Sequence, residues 1–406
     1  MNPTDVSLFW IVLCAVLAPL IAGLLPGRLV PEVVLLLVLG VLIGPNVLGW
    51  AETTAPIDLL KELGLGMLFL LAGYEIELRE LSGWAGRHAG WTWLSCLLTA
   101  LLVVWLVGLS GAVHAEIPVA IALTSTALGT LLPILKDGGM LGTPIGLTVM
   151  HHGAFGELGP VVAMAVLLGV RGPVGSMVVL LLFGTAAVAV SLFATRIRRE
   201  GSRLLAVIRA GAETTGQTVV RLTMLLLVSL GVLAIMVHLD VVLGAFAAGF
   251  VLRRLLPVGH RTLELRLNGL AFGLLIPVFF VTSGMAIDPA AVAGSPGVLV
   301  VFLLAILLIR GGLVFLAERL PHRGTRADPQ RSTRDSFAVA MYACTGLPII
   351  VAVTASAVSA GQMSPTNASI LVAGGGITVL VCPLVATLVL RRRPRERTEP
   401  TPVPGR

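Results

Sequence analysis

The sequence predicts an all-α integral membrane protein of about thirteen transmembrane helices. Of its 406 residues, 56% are hydrophobic and only 12% are charged, whereas soluble globular domains have about 25% charged residues. Apolar runs long enough to cross a hydrocarbon core of about 30 Å recur from end to end. Helices can span lipid because each satisfies its backbone polar groups within its own segment. The predicted spans are 7–25, 29–49, 56–73, 91–110, 117–136, 146–170, 173–194, 217–238, 241–255, 268–287, 295–318, 335–360 and 366–390.

The basic residues predict the orientation of the chain. All but three of the 28 Lys and Arg residues lie on one side of the predicted spans, the exceptions being Lys61, Arg171 and Arg310. Basic loops mark the cytoplasmic side, so we expect a multi-pass protein of the cell inner membrane with its N-terminus outside. The net charge of +7 then reflects topology and a lipid-bilayer partner, not nucleic acid. We expect one transmembrane domain over 1–390 and a basic cytoplasmic tail over 391–406.

An internal repeat relates the two halves of the chain. Residues 69–77 end the third span and residues 280–288 end the tenth, and both follow the pattern Phe-x3-Gly-x2-Ile-acid. The copies are an odd number of spans apart, so they cross the membrane in opposite directions, as in the inverted repeats of secondary transporters. We place the first repeat at about 7–170, a linker helix at 173–194 and the second repeat at about 217–390.

The same offset pairs the fifth span with the twelfth, and both spans are interrupted. The fifth contains Thr124, Ser125 and Thr126, and the twelfth contains Thr345 and Gly346 ahead of a proline. Polar residues, Gly and Pro at matching positions indicate broken helices that line an ion site near the membrane midplane. The alternative is that these small residues serve close helix packing.

Glu157 is the strongest candidate for that ion site, because it lies near the centre of the sixth span. A carboxylate at this depth is expensive and is a functional candidate, since desolvation disfavours its charged form and favours exchange between a proton and a cation. Gly156 and Gly159 allow another backbone to approach. The alternative is a structural Glu157 that is paired with Arg310.

Arg310 lies within the eleventh span at a depth within a few ångströms of Glu157. We expect it to act as a structural counter-charge. It could instead satisfy exposed carbonyls of a broken helix or pair with Glu75 or Glu77. A permanent pair with Glu157 would impair proton exchange.

Four further polar residues each allow two roles. His151 and His152 lie off the helix face of Glu157; they could tune the pH response, but we favour a packing role. Thr282 and Ser283 could offer hydroxyl oxygens to an ion or bond back to their own helix.

The sequence contains no enzyme motif. It has no Gly-rich phosphate loop, no nucleophile elbow and no metal-spaced His and Cys cluster. Its four cysteines all fall in apolar runs, where we interpret them as buried small hydrophobic residues. We expect no enzyme activity and no cofactor.

An ordered set of motifs resembles the monovalent cation:proton antiporter-2 branch of the sodium/proton exchanger superfamily, over nearly the whole chain. The resemblance implies a homodimer in which each protomer has a dimerisation domain and a mobile six-helix core with two crossed, partly unwound helices. It also implies elevator-type transport in which protons and the cation compete for an acid in the sixth span, here Glu157. The motifs are Gly44-Pro45 and residues 65–78, 124–127, 141–146 and 277–285.

Three departures from the family pattern bear on the expected exchange. Gly156 stands where the family usually has Asn, Asp or Gln, and Glu157 replaces the commoner Asp. The tenth span also lacks a lysine that resembles a hallmark of electrogenic members. We therefore predict an electroneutral exchange of Na⁺ or K⁺ for H⁺. The predicted ion-binding residues are Glu157, Thr124, Ser125, Thr126 and Gly156, supported by Arg310, Thr282, Ser283, Thr345, Gly346 and His152.

Two other functions are compatible with this sequence. One is a proton- or sodium-coupled carrier of a small organic solute on the same fold, which would need a larger polar cavity. The other is a membrane sensor that transports nothing and would tolerate neutralisation of Glu157.

Overall fold

The described part of the chain is all-α, as predicted. The computed structural model describes residues 2–24, 30–76, 81, 83–108, 115–137, 139–169, 172–199, 217–255, 261–320 and 332–391, and these contain no β-strand. Glu77 and the predicted tail beyond Arg391 lie outside the described residues. The helices are α1 Pro3–Leu24, α2 Glu32–Ile43, α3 Ala55–Glu75, α4 Gly83–Gly108, α5 Glu116–Leu123, α6 Leu128–Asp137, α7 Pro144–Leu167, α8 Gly172–Arg199, α9 Thr218–Met236, α10 Val241–Leu255, α11 Arg261–Leu270, α12 Ile276–Met285, α13 Pro289–Gly294, α14 Pro296–Ala305, α15 Gly312–Arg319, α16 Thr333–Ala343, α17 Leu347–Ser359 and α18 Pro365–Arg391.

Two π-helical turns each join a pair of helices that we predicted as one continuous span. Ala271–Leu275 connects α11 to α12, and Ile306–Gly311 connects α14 to α15. With these joined, seven helices in the described ranges are long and apolar enough to cross a membrane, and shorter apolar helices include Glu32–Ile43 and Glu116–Leu132. The multi-pass prediction is supported, and the count of thirteen spans stays a prediction.

Glycines bring α2 and α12 into backbone contact. A Cβ added to Gly40 would lie 2.1 Å from the carbonyl oxygen of Val281, and one added to Gly284 would lie 2.2 Å from that of Leu37. No larger residue fits without moving a backbone. The α2 helix belongs to the first predicted repeat and α12 belongs to the second.

The same arrangement recurs between α3 and α10. A Cβ on Gly73 would lie 2.1 Å from the carbonyl oxygen of Phe246, and one on Gly249 would lie 1.9 Å from that of Leu70. The predicted repeat pairs α2 with α10, and α3 with the tenth span, which ends in α12. The contact between α2 and α12 therefore corresponds to the contact between α10 and α3. The packing agrees with an inverted repeat, whose boundaries stay predictions.

Both predicted interruptions are present. The helix breaks between α5 and α6 at residues 124–127, and again between α16 and α17 at residues 344–346. Gly346 and Pro348 explain the second break, because proline lacks the N–H that would continue the helical hydrogen bonds. The crossing of the two helices stays a prediction.

Candidate ion site

Glu157 lies near the middle of α7 and is only 4% exposed. The helix starts with a well-formed cap, in which the Thr143 hydroxyl accepts a hydrogen bond from the Gly146 amide at 3.1 Å and Pro144 takes the first position. One carboxylate oxygen of Glu157, Oε2, is buried without a hydrogen-bond partner. Buried polar atoms are nearly always satisfied, so an exception requires an explanation such as a ligand.

The first interruption directs a helix N-terminus at this carboxylate. The backbone N–H of Leu128, the first residue of α6, is close enough to the Glu157 carboxylate to favour its ionised form. A helix N-terminus carries partial positive charge and free N–H groups. The break between α5 and α6 therefore creates a donor for Glu157 that a continuous helix would have used internally.

A proline in α7 explains how the interrupted segment attaches to that helix. Pro160 lies four positions after Gly156, and because it has no N–H it cannot bond to the Gly156 carbonyl. The Thr126 amide takes this place and donates to the Gly156 oxygen at 2.8 Å. The proline thus opens an acceptor one residue before Glu157.

The two interruptions also bond to each other. The Ala127 amide donates to the Thr345 carbonyl at 2.7 Å, and the Ser125 hydroxyl lies 3.4 Å from the Gly346 carbonyl. A Cβ on Gly346 would stand 2.0 Å from the Ser125 Oγ, so this contact requires glycine. The Ala127 amide of the first break and the Thr345 carbonyl of the second thus satisfy each other.

Arg310 holds this assembly together from within the π-helical turn of the eleventh span. Its side chain is fully buried. Nε and Nη2 donate to the Thr126 hydroxyl at 3.2 and 3.0 Å, and Nη2 also donates to the His152 carbonyl at 2.8 Å. The Thr126 hydroxyl in turn donates to the Ala343 carbonyl at the end of α16. A guanidinium suits this position because its several N–H groups point in fixed directions.

Arg310 bonds to the interrupted segment and to α7 rather than to Glu157. Its guanidinium donates to the Thr126 hydroxyl and to the His152 carbonyl, and it makes no ion pair with Glu157. This arrangement is nearest to the alternative in which Arg310 supports a broken helix, but the carbonyl that it reaches belongs to the continuous α7. Arg310 and Glu157 both lie in the described part of the chain. The structure therefore does not contain the pair that would make Glu157 a structural residue. Counter-charge by direct contact with Glu157 is likewise not observed.

The predicted hydroxyl ligands of the two interruptions are turned toward their own helices. Thr124 and Ser125 donate to carbonyls at the end of α5, at 2.9 and 2.7 Å, and Thr345 donates to the end of α16 at 2.7 Å. These hydroxyls cap the broken ends. Each oxygen keeps acceptor capacity, which an ion could use.

Thr282 and Ser283 are not brought into contact with Glu157. Thr282 Oγ1 donates to the Val278 carbonyl at 2.7 Å, and Ser283 Oγ donates to the Phe279 carbonyl at 2.6 Å. Their helix, α12, packs against α2 and α3. Of the two alternatives, bonding back to the same helix describes these residues.

Two features of the site were not predicted. Glu75, at the end of α3, interacts electrostatically with Glu157 and lines a cavity of about 280 Å³ together with Tyr74, Arg253 and Glu264. Glu75 lies within the repeat motif at residues 69–77. From the sequence we considered it only as a partner of Arg310, not as a neighbour of Glu157. The second feature is the Leu128 amide beside Glu157. A backbone amide can come from any residue but proline, so the sequence does not indicate it.

A larger cavity of about 1190 Å³ lies beside α1, α2, α6 and α18. Gly129 and Thr130 line it next to the first interruption, but Glu157 is not among its lining residues. Apolar side chains make up most of its wall, and Glu32, Asp335 and three threonines add polar groups.

The chain is similar to known proteins over most of its length. The family model "Sodium/hydrogen exchanger, transmembrane" matches residues 12–392. The Na⁺/H⁺-K⁺ antiporter GerN of Bacillus cereus is 25% identical over 70% of this chain and 72% of its own length. The chloroplastic K⁺ efflux antiporter 1 of Arabidopsis thaliana is 26% identical over 95% of this chain, which spans only 32% of that longer protein.

Solved structures give the same fold. The sodium proton antiporter MjNhaP1 from Methanocaldococcus jannaschii superimposes with a TM-score of 0.67 over 96% of this chain and 99% of that one. At 18% identity, this likeness concerns the fold alone.

Proposed function

The chain belongs to the sodium/hydrogen exchanger family, and we propose that it exchanges a monovalent cation, Na⁺ or K⁺, for protons at Glu157. The observation that carries this proposal is the buried Glu157 Oε2, which has no hydrogen-bond partner. A proton or a cation would satisfy that oxygen equally. The relatives support both cations, because their names include Na⁺ and K⁺.

The exchange follows from the chemistry of one buried carboxylate. Protonated Glu157 is neutral, and ionised Glu157 with a bound monovalent cation is neutral as well, so both loaded forms tolerate a dry site. Empty, ionised Glu157 has a buried oxygen without a hydrogen-bond partner, with the Leu128 amide nearby as a favourable dipole, and is the costly form. Protons and cations therefore compete for the site, and oxygens of the two interruptions complete the cation's shell.

The fixed charge of Arg310 supports electroneutral exchange. Its guanidinium remains protonated at any physiological pH, and Thr126 and His152 hold it in place. With Glu157 as the single group that exchanges, one cation moves against one proton. The family resemblance further supports a homodimer, an elevator-type motion, an inner-membrane location and an outside N-terminus.

Purified protein in proteoliposomes tests this function. A pH-sensitive dye should report proton movement when Na⁺ or K⁺ is added, with Li⁺ and Rb⁺ as comparisons. An imposed membrane potential should leave the initial rate unchanged. Glu157→Gln should abolish this proton movement. Glu62→Gln removes a carboxylate at an exposed position of α3 and is its matched control.

Three outcomes would contradict the proposal. No response to any of the four cations would argue against antiport. A rate that rises steeply with the imposed potential would overturn the electroneutral stoichiometry. Uptake of an organic solute that persists without Na⁺ and K⁺ would identify a carrier of another class.

A further inference from the structure

The large cavity beside α1, α2, α6 and α18 has a mostly apolar wall with acidic groups at one end. Its volume of about 1190 Å³ is ample for a small molecule, since such sites usually measure about 300–1,000 Å³. Leu36, Ile276 and Leu380 are among its apolar lining residues, and Glu32 and Asp335 line it as well. Both acids belong to first helical turns, those of α2 and α16. The acids therefore lie nearer the membrane surface than the apolar part of the wall.

The charge of this wall is opposite to that of the membrane side on which it lies. Gly23, Glu32 and Leu390 line the cavity close to helix ends that adjoin the basic loops, and that side carries all but three of the Lys and Arg residues. Among the described lining residues, however, the ionisable side chains are two carboxylates. Glu32 is exposed, so a ligand can reach its carboxylate. The wall therefore favours a cation over an anion.

The neutral polar groups of the wall are hydrogen-bond acceptors. The hydroxyls of Thr130, Thr143 and Thr387 all donate to nearby backbone carbonyls, so toward a ligand their oxygens can only accept. Pro383 of α18 has no N–H and cannot donate to the Val379 carbonyl four positions earlier, and both residues line the cavity. A cation that carries N–H groups suits these acceptors, whereas a quaternary ammonium has no hydrogen to donate.

The cavity borders the helix that directs its N-terminus at the exchange carboxylate. Gly129 and Thr130 of α6 line the cavity and directly follow Leu128, whose amide lies beside Glu157. A Cβ added to Gly129 would meet no heavy atom within 4 Å, so α6 presents an open face here. An occupant would touch α6 together with α1, α2 and α18. It would thereby restrict any movement of α6 relative to those helices.

We propose that this cavity binds a hydrophobic amine in its protonated form, with the ammonium group at Glu32 and the apolar body against the wall, and that the bound amine slows exchange by holding α6. The binding itself does not depend on the proposed antiport function, whereas its effect on exchange rests on that function. A phospholipid fits less well, because its phosphate would meet carboxylates and no basic side chain among the described lining residues.

Three probes that share one rigid apolar body test the chemistry of this site. They are 1-aminoadamantane, which is protonated at neutral pH because alkylamines titrate near pH ~10, the neutral 1-adamantanol and the anionic 1-adamantanecarboxylate. Equilibrium dialysis against the purified protein in detergent measures their affinities. The amine should bind about tenfold more tightly than the alcohol, since hydrogen bonds to a charged group are the stronger ones, and the carboxylate should bind most weakly. Equal affinities for the three probes would overturn the proposal.

Two variants with matched controls locate the binding. Glu32→Gln should weaken amine binding about tenfold and leave the alcohol unchanged, and Glu62→Gln, which removes an exposed carboxylate outside the cavity, should change neither. Gly23→Leu should weaken both probes, because its side chain enters the cavity from a position where an added Cβ meets no heavy atom within 4 Å. Gly184→Leu, equally unobstructed on α8, is its control. Wild-type amine binding in both Glu32→Gln and Gly23→Leu would overturn the site.

The effect on exchange is measured as uptake of radiolabelled Na⁺ or Rb⁺ into proteoliposomes at equal pH on both sides, because permeant amines themselves carry protons. Saturating 1-aminoadamantane should lower the maximal rate, 1-adamantanol at the same concentration should not, and the fractional inhibition by the amine should fall in Gly23→Leu. Amine binding without any wild-type cation exchange would reject the antiport function and leave the amine site standing. Wild-type exchange that saturating amine does not slow would overturn the claim that the occupant holds α6.

Discussion

The Nη2 nitrogen of Arg310 lies 2.6 Å from the point where a Cβ on Gly156 would stand. The same Cβ would lie 2.5 Å from the Cβ of Thr126. Glycine at position 156 thus leaves room for the guanidinium next to Glu157. The absence of a polar side chain here, which departs from the family pattern, has a steric cause.

Replacing Gly156 with alanine should therefore damage the site. Overpacking typically costs about 1–3 kcal/mol, and here the atoms that must move hold α7 against the first interruption. We expect a lower unfolding temperature in detergent and at least a tenfold loss of exchange.

Gly184→Ala is the matched control for this substitution. Gly184 is also within a long helix, α8, and no heavy atom lies within 4 Å of its added Cβ. It should retain stability and exchange. Equal behaviour of the two variants would show that the space at Gly156 is not needed.

Thr126→Val and Thr282→Val form a second matched pair. The Thr126 hydroxyl accepts two hydrogen bonds from Arg310, so valine leaves buried guanidinium N–H groups unsatisfied, at about 1–3 kcal/mol. The Thr282 hydroxyl bonds only to carbonyls of its own helix, and its loss should cost under about 1 kcal/mol.

Thermal unfolding and exchange assays distinguish these threonines. Thr126→Val should lose both stability and exchange, and Thr282→Val should resemble the wild type. A stronger effect on cation exchange from Thr282→Val than from Thr126→Val would restore Thr282 as an ion ligand.

The contact between the two interruptions predicts a non-additive double variant. Gly346→Ala should destabilise the protein, because its Cβ would stand 2.0 Å from Ser125 Oγ. Ser125→Ala removes that oxygen but leaves the Ser125 carbonyl oxygen 2.7 Å from the same point, so the double variant should recover only part of the unfolding temperature that Gly346→Ala loses. Strictly additive effects would show that the two residues do not compete for this space.

Much of the site could be predicted because membranes restrict what a sequence can contain. Glu157 stands out because an ionisable group at mid-span is expensive. The interruptions stand out because Gly and Pro recur at corresponding positions in two spans related by the repeat. Both signals are local in sequence and need no knowledge of side-chain placement.

The partners of these residues could not be predicted in the same way. Depth along a span allowed Arg310 to meet Glu157, but depth does not give the direction of a side chain around its helix. The structure turns Arg310 to Thr126 and the His152 carbonyl, and a π-helical turn that no sequence pattern indicated contains it. Likewise, nothing in the sequence connects His152 with Glu318, which is 166 positions away.

The assignment of Glu157 as the exchange site is tested most directly by comparing Glu157→Gln with Glu157→Asp in proteoliposomes. Glutamine has the same shape but cannot release a proton or bind a cation as an anion, so cation-driven proton movement should disappear while folding is preserved. Aspartate keeps the carboxylate, so exchange should persist with a changed apparent affinity for the cation. Normal cation-driven pH changes in Glu157→Gln would contradict the assignment.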